Sequence, residues 1–145
     1  SHFLHTRLHP LIIEVGLHED GSLRDRHLWH LPPLAPHVFA IRMDAELDFA
    51  AASSFEKYVT EKLRGQTHIQ HVCLFAQPIN RIDATGVETL QQLRQYLTRS
   101  GIQLHISGIK LPVEKALKLA GELGPDSQVS LYRNDTEAIQ ALRSL

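Results

Sequence analysis

The chain has 145 residues, 43% apolar and 21% charged, with 8 Gly and 7 Pro, which fits one ordinary globular domain and excludes collagen-like, low-complexity and strongly charged disordered chains. At this length folding hides roughly 68 to 70% of the unfolded chain's surface, so a core can form without disulfides or a structural metal. Fifteen Lys and Arg against sixteen Asp and Glu leave a net charge of −1, which supplies no basic stripe for a nucleic acid.

Residues 1–37 form a distinct lead segment, carrying seven of the ten histidines, four of the seven prolines and the only tryptophan. No charged and then apolar leader opens it, and no apolar run reaches the ~18 to 20 residues of a membrane-crossing helix. The sequence in hand therefore reads as a soluble piece, compatible with having been cut from a membrane protein. Leu11 to Val15 is expected as a short strand ended by Gly16 and the turn chemistry of Glu19 to Ser22. A second extended piece is expected around Leu28 and Trp29, until Pro32, Pro33 and Pro36 stop regular pairing. The lead is thus read as a tether with short strand content. A free imidazole changes charge near pH ~6.5, so a cluster of histidines could make the tether pH-sensitive, and Trp29 is expected to anchor it on its own domain.

A core domain is expected over residues 38–145. Val38 to Met43 reads as a strand, and from Asp48 the spacing turns helical, with Ala52, Phe55, Val59 and Leu63 on one face and Gly65 as the stop. Ser53 and Glu56 have capping-box spacing near its start. The continuous apolar run Val72 to Phe75 is expected as a strand covered on both faces, with Cys73 a buried thiol suited to a reducing compartment. Val87, Leu90, Leu93 and Leu97 make a second helix closed by Gly101, and Ile102, Leu104 and Ile106 alternate as a strand that sets His105 on a polar face. A third helical face runs Val113, Ala116, Leu117, Ala120, Leu123; Val129 to Tyr132 is a last strand; and a final helix carries Ile139, Leu142 and Leu145 behind an Asn134 cap. Strands alternating with helices argue for an α/β fold, a mixed but mostly parallel sheet with about four helices packed on it.

The most informative stretch is Asn80 to Leu90, where the Val72 strand hands over to the second helix. That edge of a parallel sheet carries most binding sites, and a helix N-terminus favours an anion. Thr85 is placed to carry a phosphate, Gly86 allows close backbone approach and Asp83 can hold the loop. The structural alternative is that Thr85 to Glu88 is simply a capping box, the hydroxyl accepting from a first-turn N–H and the glutamate reaching back. No histidine pair has helical zinc spacing and the single cysteine has no partner, so no metal is expected. No catalytic triad, Walker loop or dinucleotide fingerprint is present, so neither an enzymatic role nor a cofactor is expected.

These residues resemble the STAS domain, the family named for sulfate transporters and anti-sigma factor antagonists. The Asp83-Ala-Thr-Gly86 loop is similar to the family's Asp-Ser-Ser-Gly type of loop, with Ala84 and Thr85 standing where the serine pair would be. Leu47 to Phe55 looks like the phrase that transporter members carry after their central strand, and Ile13 to Gly16 with the segment ending near Pro36 resembles the piece joining the last membrane helix of SulP-type permeases to the domain. The resemblance implies a STAS fold, similar to that of the anti-sigma factor antagonists. It further implies a non-enzymatic cytoplasmic regulatory and assembly domain of a sulfate or related anion permease in the bacterial inner membrane. Its contacts would be the membrane domain of the same transporter, a twin subunit or a cytosolic protein, and no nucleic acid. Thr85 is the phosphoacceptor-equivalent position, with Asp83, Ala84, Gly86 and Glu88 forming the loop and helix start and Thr85 and Gly86 able to face a nucleotide or anion. The alternatives are a free-standing anti-sigma factor antagonist that switches partners on phosphorylation, and a small α/β enzyme or nucleotide-binding protein.

Overall fold

The computed structural model describes residues 12–44 and 46–145, with the backbone alone for residues 49 and 50. The strands are β1 (Ile12–Leu17), β2 (Leu23–Asp25), β3 (Val38–Met43), β4 (His71–Phe75), β5 (Gln103–Ser107) and β6 (Val129–Tyr132). The helices are α1 (Phe49–Leu63), α2 (Ala84–Arg99), α3 (Leu111–Leu119) and α4 (Asp135–Arg143), with a short 3-10 turn at Pro125–Ser127. The six strands form one sheet in the order β2-β1-β3-β4-β5-β6. β3 to β6 run parallel, as helical crossovers require, while β1 pairs antiparallel with both β2 and β3.

The pleat divides the core in two. One face of the sheet (Phe39, Ile41, Val72, Leu74, Leu104, Ile106) is covered by Phe55 and Val59 of α1, Leu93 and Leu97 of α2 and Val113 and Leu117 of α3. The other face (Val15, Val38, Ala40, Cys73, Phe75) is covered by Ala138 and Leu142 of α4 and by Leu34 and Ala35. Both faces of β4 are therefore closed, as its unbroken apolar run requires, and burial pushes the Cys73 thiol well above its ordinary range.

The lead's expected strand content is present, but its described part is built into the sheet. β1 lies beside β3, and Val15, Leu34 and Ala35 are buried. The extended piece expected around Trp29 is instead a turn. Asp25 Oδ1 accepts from the His27 and Leu28 N–H groups at 3.0 and 3.1 Å, and this Asx turn ends β2. Trp29 folds back over the hairpin, 4.3 Å from the Arg24 guanidinium and edge-on to His18, both of them lead residues, and stays half-exposed, so these contacts hold it within the lead and not on residues 38–145. His2, His5 and His9 lie outside the described residues.

Two caps differ from the sequence reading. α1 is capped by Asp48, whose Oδ1 accepts from the Ala51 N–H at 3.0 Å, so Ser53 stands inside the helix on its exposed side. The third helix stops at Leu119, earlier than its apolar spacing suggested, because Gly121 takes φ +76 and closes a Schellman motif. Its N–H donates to the Lys118 carbonyl, and the Glu122 N–H donates to that of Leu117 at 2.9 Å. Asn134 caps α4 as its spacing indicated, accepting from the Glu137 N–H at 2.9 Å. His105, expected on a polar face, is 3% exposed because α4 and Tyr132 cover that side of β5.

Candidate functional site

The loops after β3, β4 and β5 converge at the carboxyl edge of the parallel strands, and α2 begins there. Asp83, rather than Thr85, is the helix cap: its backbone is extended and its Oδ1 accepts from the Gly86 N–H at 2.8 Å. Thr85 is thus the second helical residue, half-buried, with its hydroxyl not needed for capping. Glu88 does not reach back as a capping box requires. It is exposed, and its Oε1 accepts from Gln92 one turn further on, at 3.4 Å. Two overlapping cap patterns, Asp83-x-x-Gly86 and Thr85-x-x-Glu88, compete in the sequence, and the first one forms.

Gly86 decides that competition. A Cβ there would lie 2.1 Å from the Leu47 carbonyl oxygen and 2.7 Å from Ile82 Cγ1, so only glycine lets the helix start sit against the β3–α1 loop. Leu47, fully buried, bridges Ile82 in parallel fashion just beyond the ends of β3 and β4. The loop is braced from both sides: Glu46 Oε2 accepts from the Arg81 N–H at 2.6 Å, and Lys110 Nζ donates to Asn80 Oδ1. Glu46 and Lys110 were invisible to sequence reasoning, because contacts between three separate loops leave no spacing signal.

Asp83, Ala84, Thr85, Gly86 and Glu88 are therefore brought to one place, though with unequal access. Asp83, Ala84 and Glu88 are exposed, Thr85 is half-buried and Gly86 is inside. A phosphoryl group on Thr85 would stand in the first turn of α2, where the helix dipole favours negative charge. A second cleft of about 270 Å³ opens at the same edge across the sheet, lined by Arg42, Asp44, Phe75, Gln77, Pro78 and Asp135. It lies between the ends of β3 and β4 and the start of α4. Arg42 Nε is tied to Asp44 at 2.8 Å there. Among the described residues no group of three or more His, Cys, Asp or Glu side chains could hold a metal ion, and no helix is long and apolar enough to cross a membrane.

Residues 33–126 match the STAS domain family. A "Probable sulfate transporter" of Mycobacterium tuberculosis is 29% identical over 111 residues, covering 74% of this chain and 20% of that protein. The chain thus spans about a fifth of the length of the curated relatives it matches. Among solved structures, the murine solute carrier 26 family member A9 anion transporter in its inward-facing state superposes with TM-score 0.80 at 14% identity, over 99% of this chain and 24% of that one. A sulfate transporter family protein from Wolinella succinogenes gives TM-score 0.62 at 21% identity, over 74% of this chain and 86% of that one. The unphosphorylated anti-sigma factor antagonist SpoIIAA, a Bacillus protein, gives 0.61 at 18% identity, over 74% and 90%.

Proposed function

The chain belongs to the STAS domain family, and we propose that it is the non-enzymatic cytoplasmic regulatory and assembly domain of a sulfate-type anion transporter. The observation that carries this reading is coverage: superposition on the solute carrier 26 member A9 transporter takes in 99% of the chain, whereas those on SpoIIAA and on the Wolinella sulfate transporter family protein both take in 74%. The sequence relatives point the same way. Transport would occur in a membrane part outside this chain, and the domain would act by docking on that part, on a twin subunit or on a cytosolic protein.

The loop around Thr85 is suited to bias such a contact. Phosphorylation adds about −1.5 to −2 charge at neutral pH, here in the first turn of α2, enough to create or abolish a polar interface. A nucleotide or small anion at the helix start would meet Thr85, since Gly86 is buried with its N–H donated to Asp83 and its α-carbon against Leu47. In vesicles holding the parent protein, Thr85→Glu and Thr85→Ala are expected to shift labelled sulfate uptake in opposite directions; identical uptake removes the switch. The free-standing antagonist remains the second reading, supported by the 90% coverage of SpoIIAA. The gene upstream of Ser1 separates the two: a series of apolar spans supports the transporter domain, and a start codon close to Ser1 supports the antagonist.

A further inference from the structure

The sheet face beneath α4 carries a line of polar side chains in an otherwise apolar layer. His105 on β5 has both ring nitrogens engaged: Nε2 lies 3.0 Å from Nδ1 of His71, and Nδ1 lies 3.0 Å from the Tyr132 hydroxyl. The Tyr132 ring lies nearly parallel to that of His105, with centroids 5.8 Å apart, and the His71 ring is 5.1 Å away. Register sets Cys73 and Ser130 directly beside His105. Tyr132 belongs to the apolar cluster closed by Ala138, Ile139 and Leu142 of α4. The line therefore runs from the half-exposed His71 at the start of β4 to the underside of α4.

Two hydrogen bonds in series through an imidazole hold one proton each. In the neutral chain Tyr132 donates to His105 Nδ1 and His105 Nε2–H donates to His71 Nδ1, or both bonds run the other way. One proton taken from solvent fits the second polarity: the charge sits on His71, whose Nδ1–H donates to a neutral His105, whose Nδ1–H donates to Tyr132. A second proton has no place, because it would set N–H against N–H between the two imidazoles.

The titratable and charged groups around His105 are His71 and Cys73 of β4, Tyr132 of β6, and Asp135 of α4. His37 stands before β3, and Arg143 of α4 donates to the Leu34 carbonyl at 3.0 Å. Asp135, the one carboxylate among these groups, accepts from the Ser107 hydroxyl at 2.9 Å rather than from either imidazole. Burial, and then the neighbouring His71, hold His105 down to about 4, while burial, and then His37, lower His71.

We propose that the His71–His105–Tyr132 chain is an acid-sensitive latch that keeps α4 on the sheet when neutral, is held to a single polarity by its first proton and opens on its second. Because the folded state resists protonation of His105, the unfolded or opened state binds more protons below the ordinary value of about 6.5, and the latch weakens as pH falls from there towards 4.

The test uses the 145-residue chain, with imidazole ¹⁵N spectra from pH 8 to 4 and native-state hydrogen exchange of α4 at pH 7 and 4.5, corrected for intrinsic rates. The expected result is that the His71 and His105 nitrogens shift together at one pH below 6.5. The α4 amides should exchange at least tenfold faster at pH 4.5, with α1 and α2 little changed. His105→Gln should lose the acid response of α4, and Tyr132→Phe should uncouple the His105 Nδ1 shift from that of His71. Independent titration of the two histidines near 6.5, or protection lost equally from α1, α2 and α4, overturns the proposal. Both readouts come from the wild-type chain, so a variant that fails to fold leaves the test intact.

Discussion

Replacing Gly86 by alanine sets two effects of opposite sign against each other. Alanine is favoured over glycine inside a helix by up to ~1 kcal/mol, so a helix-only view has Gly86→Ala stabilising the protein. The structure argues the reverse. The new Cβ would stand 2.1 Å from the Leu47 carbonyl oxygen and 2.7 Å from Ile82 Cγ1, on the order of 1 Å inside van der Waals contact. The nearest obstacle is backbone, and its residue is fully buried, so relief requires moving either the start of α2 or the β3–α1 loop with Leu47 in it. Overpacking of this kind costs ~1 to 3 kcal/mol, and loss of the Leu47–Ile82 bridge adds ~1 kcal/mol. Less the gain in helix propensity, the net is about 2 kcal/mol of destabilisation, or a Tm lower by ~4 to 8 °C for a domain of this size. Thermal and urea melts followed by circular dichroism measure it. Gly65→Ala is the control, since no atom lies within 4 Å of its added Cβ, and it should stay within ~0.5 kcal/mol of wild type. A Gly86→Ala protein as stable as wild type, or more so, refutes the close-approach argument.

Other substitutions test the remaining assignments. Asp83→Ala removes the α2 cap and should cost ~1 kcal/mol, while Thr85→Ala should cost under ~0.5 kcal/mol; urea melts giving the opposite ranking would return the capping role to Thr85. Arg94 holds the carboxylate of Glu122 at 2.6 and 3.3 Å, with side chains only 18% and 6% exposed. Arg94→Ala strands that charge and should cost ~3 kcal/mol, with part recovered in the double variant with Glu122→Ala; a loss under ~1 kcal/mol would place the pair in effective contact with water. The depressed His105 value makes stability rise with pH between about 4 and 6.5. Unfolding free energy should therefore fall by ~2 kcal/mol from pH 7 to pH 5, and urea midpoints that match at the two pH values contradict it.

Where the determining signal is local, the sequence alone was sufficient. Val129 to Tyr132 is a strand and Asn134 caps α4, because a period-two run and a cap followed three residues later by glutamate act within one turn of chain. The second helix was legible from its apolar face and closing glycine, and the Asp83 to Glu88 loop was correctly set at a strand-to-helix junction. The choice between Asp83 and Thr85 as cap was not legible, since both patterns are sound by themselves. What selects Asp83 is the carbonyl of Leu47, which lies far away in sequence and against Gly86 in space. The built-in lead was hidden for the same reason. β1 reads as an isolated strand among prolines, and only its pairing with β3 and the burial of Leu34 and Ala35 make it part of the sheet.

The histidines show the division most plainly. In the sequence they collect in residues 1–37, and composition drew attention there. Among the described residues, the imidazoles that contact one another through a hydrogen bond are His71 and His105, one on each of two adjacent parallel strands. By itself the sequence determined the class of fold, the order of its elements and the family resemblance, because periodicity, caps and turn residues are written within a few residues of where they act. The tertiary structure alone decided which strand lies beside which, which of two caps forms, and which polar groups meet under α4. Those outcomes depend on strand pairing and close packing between segments distant in the chain, and neither leaves a mark in local spacing.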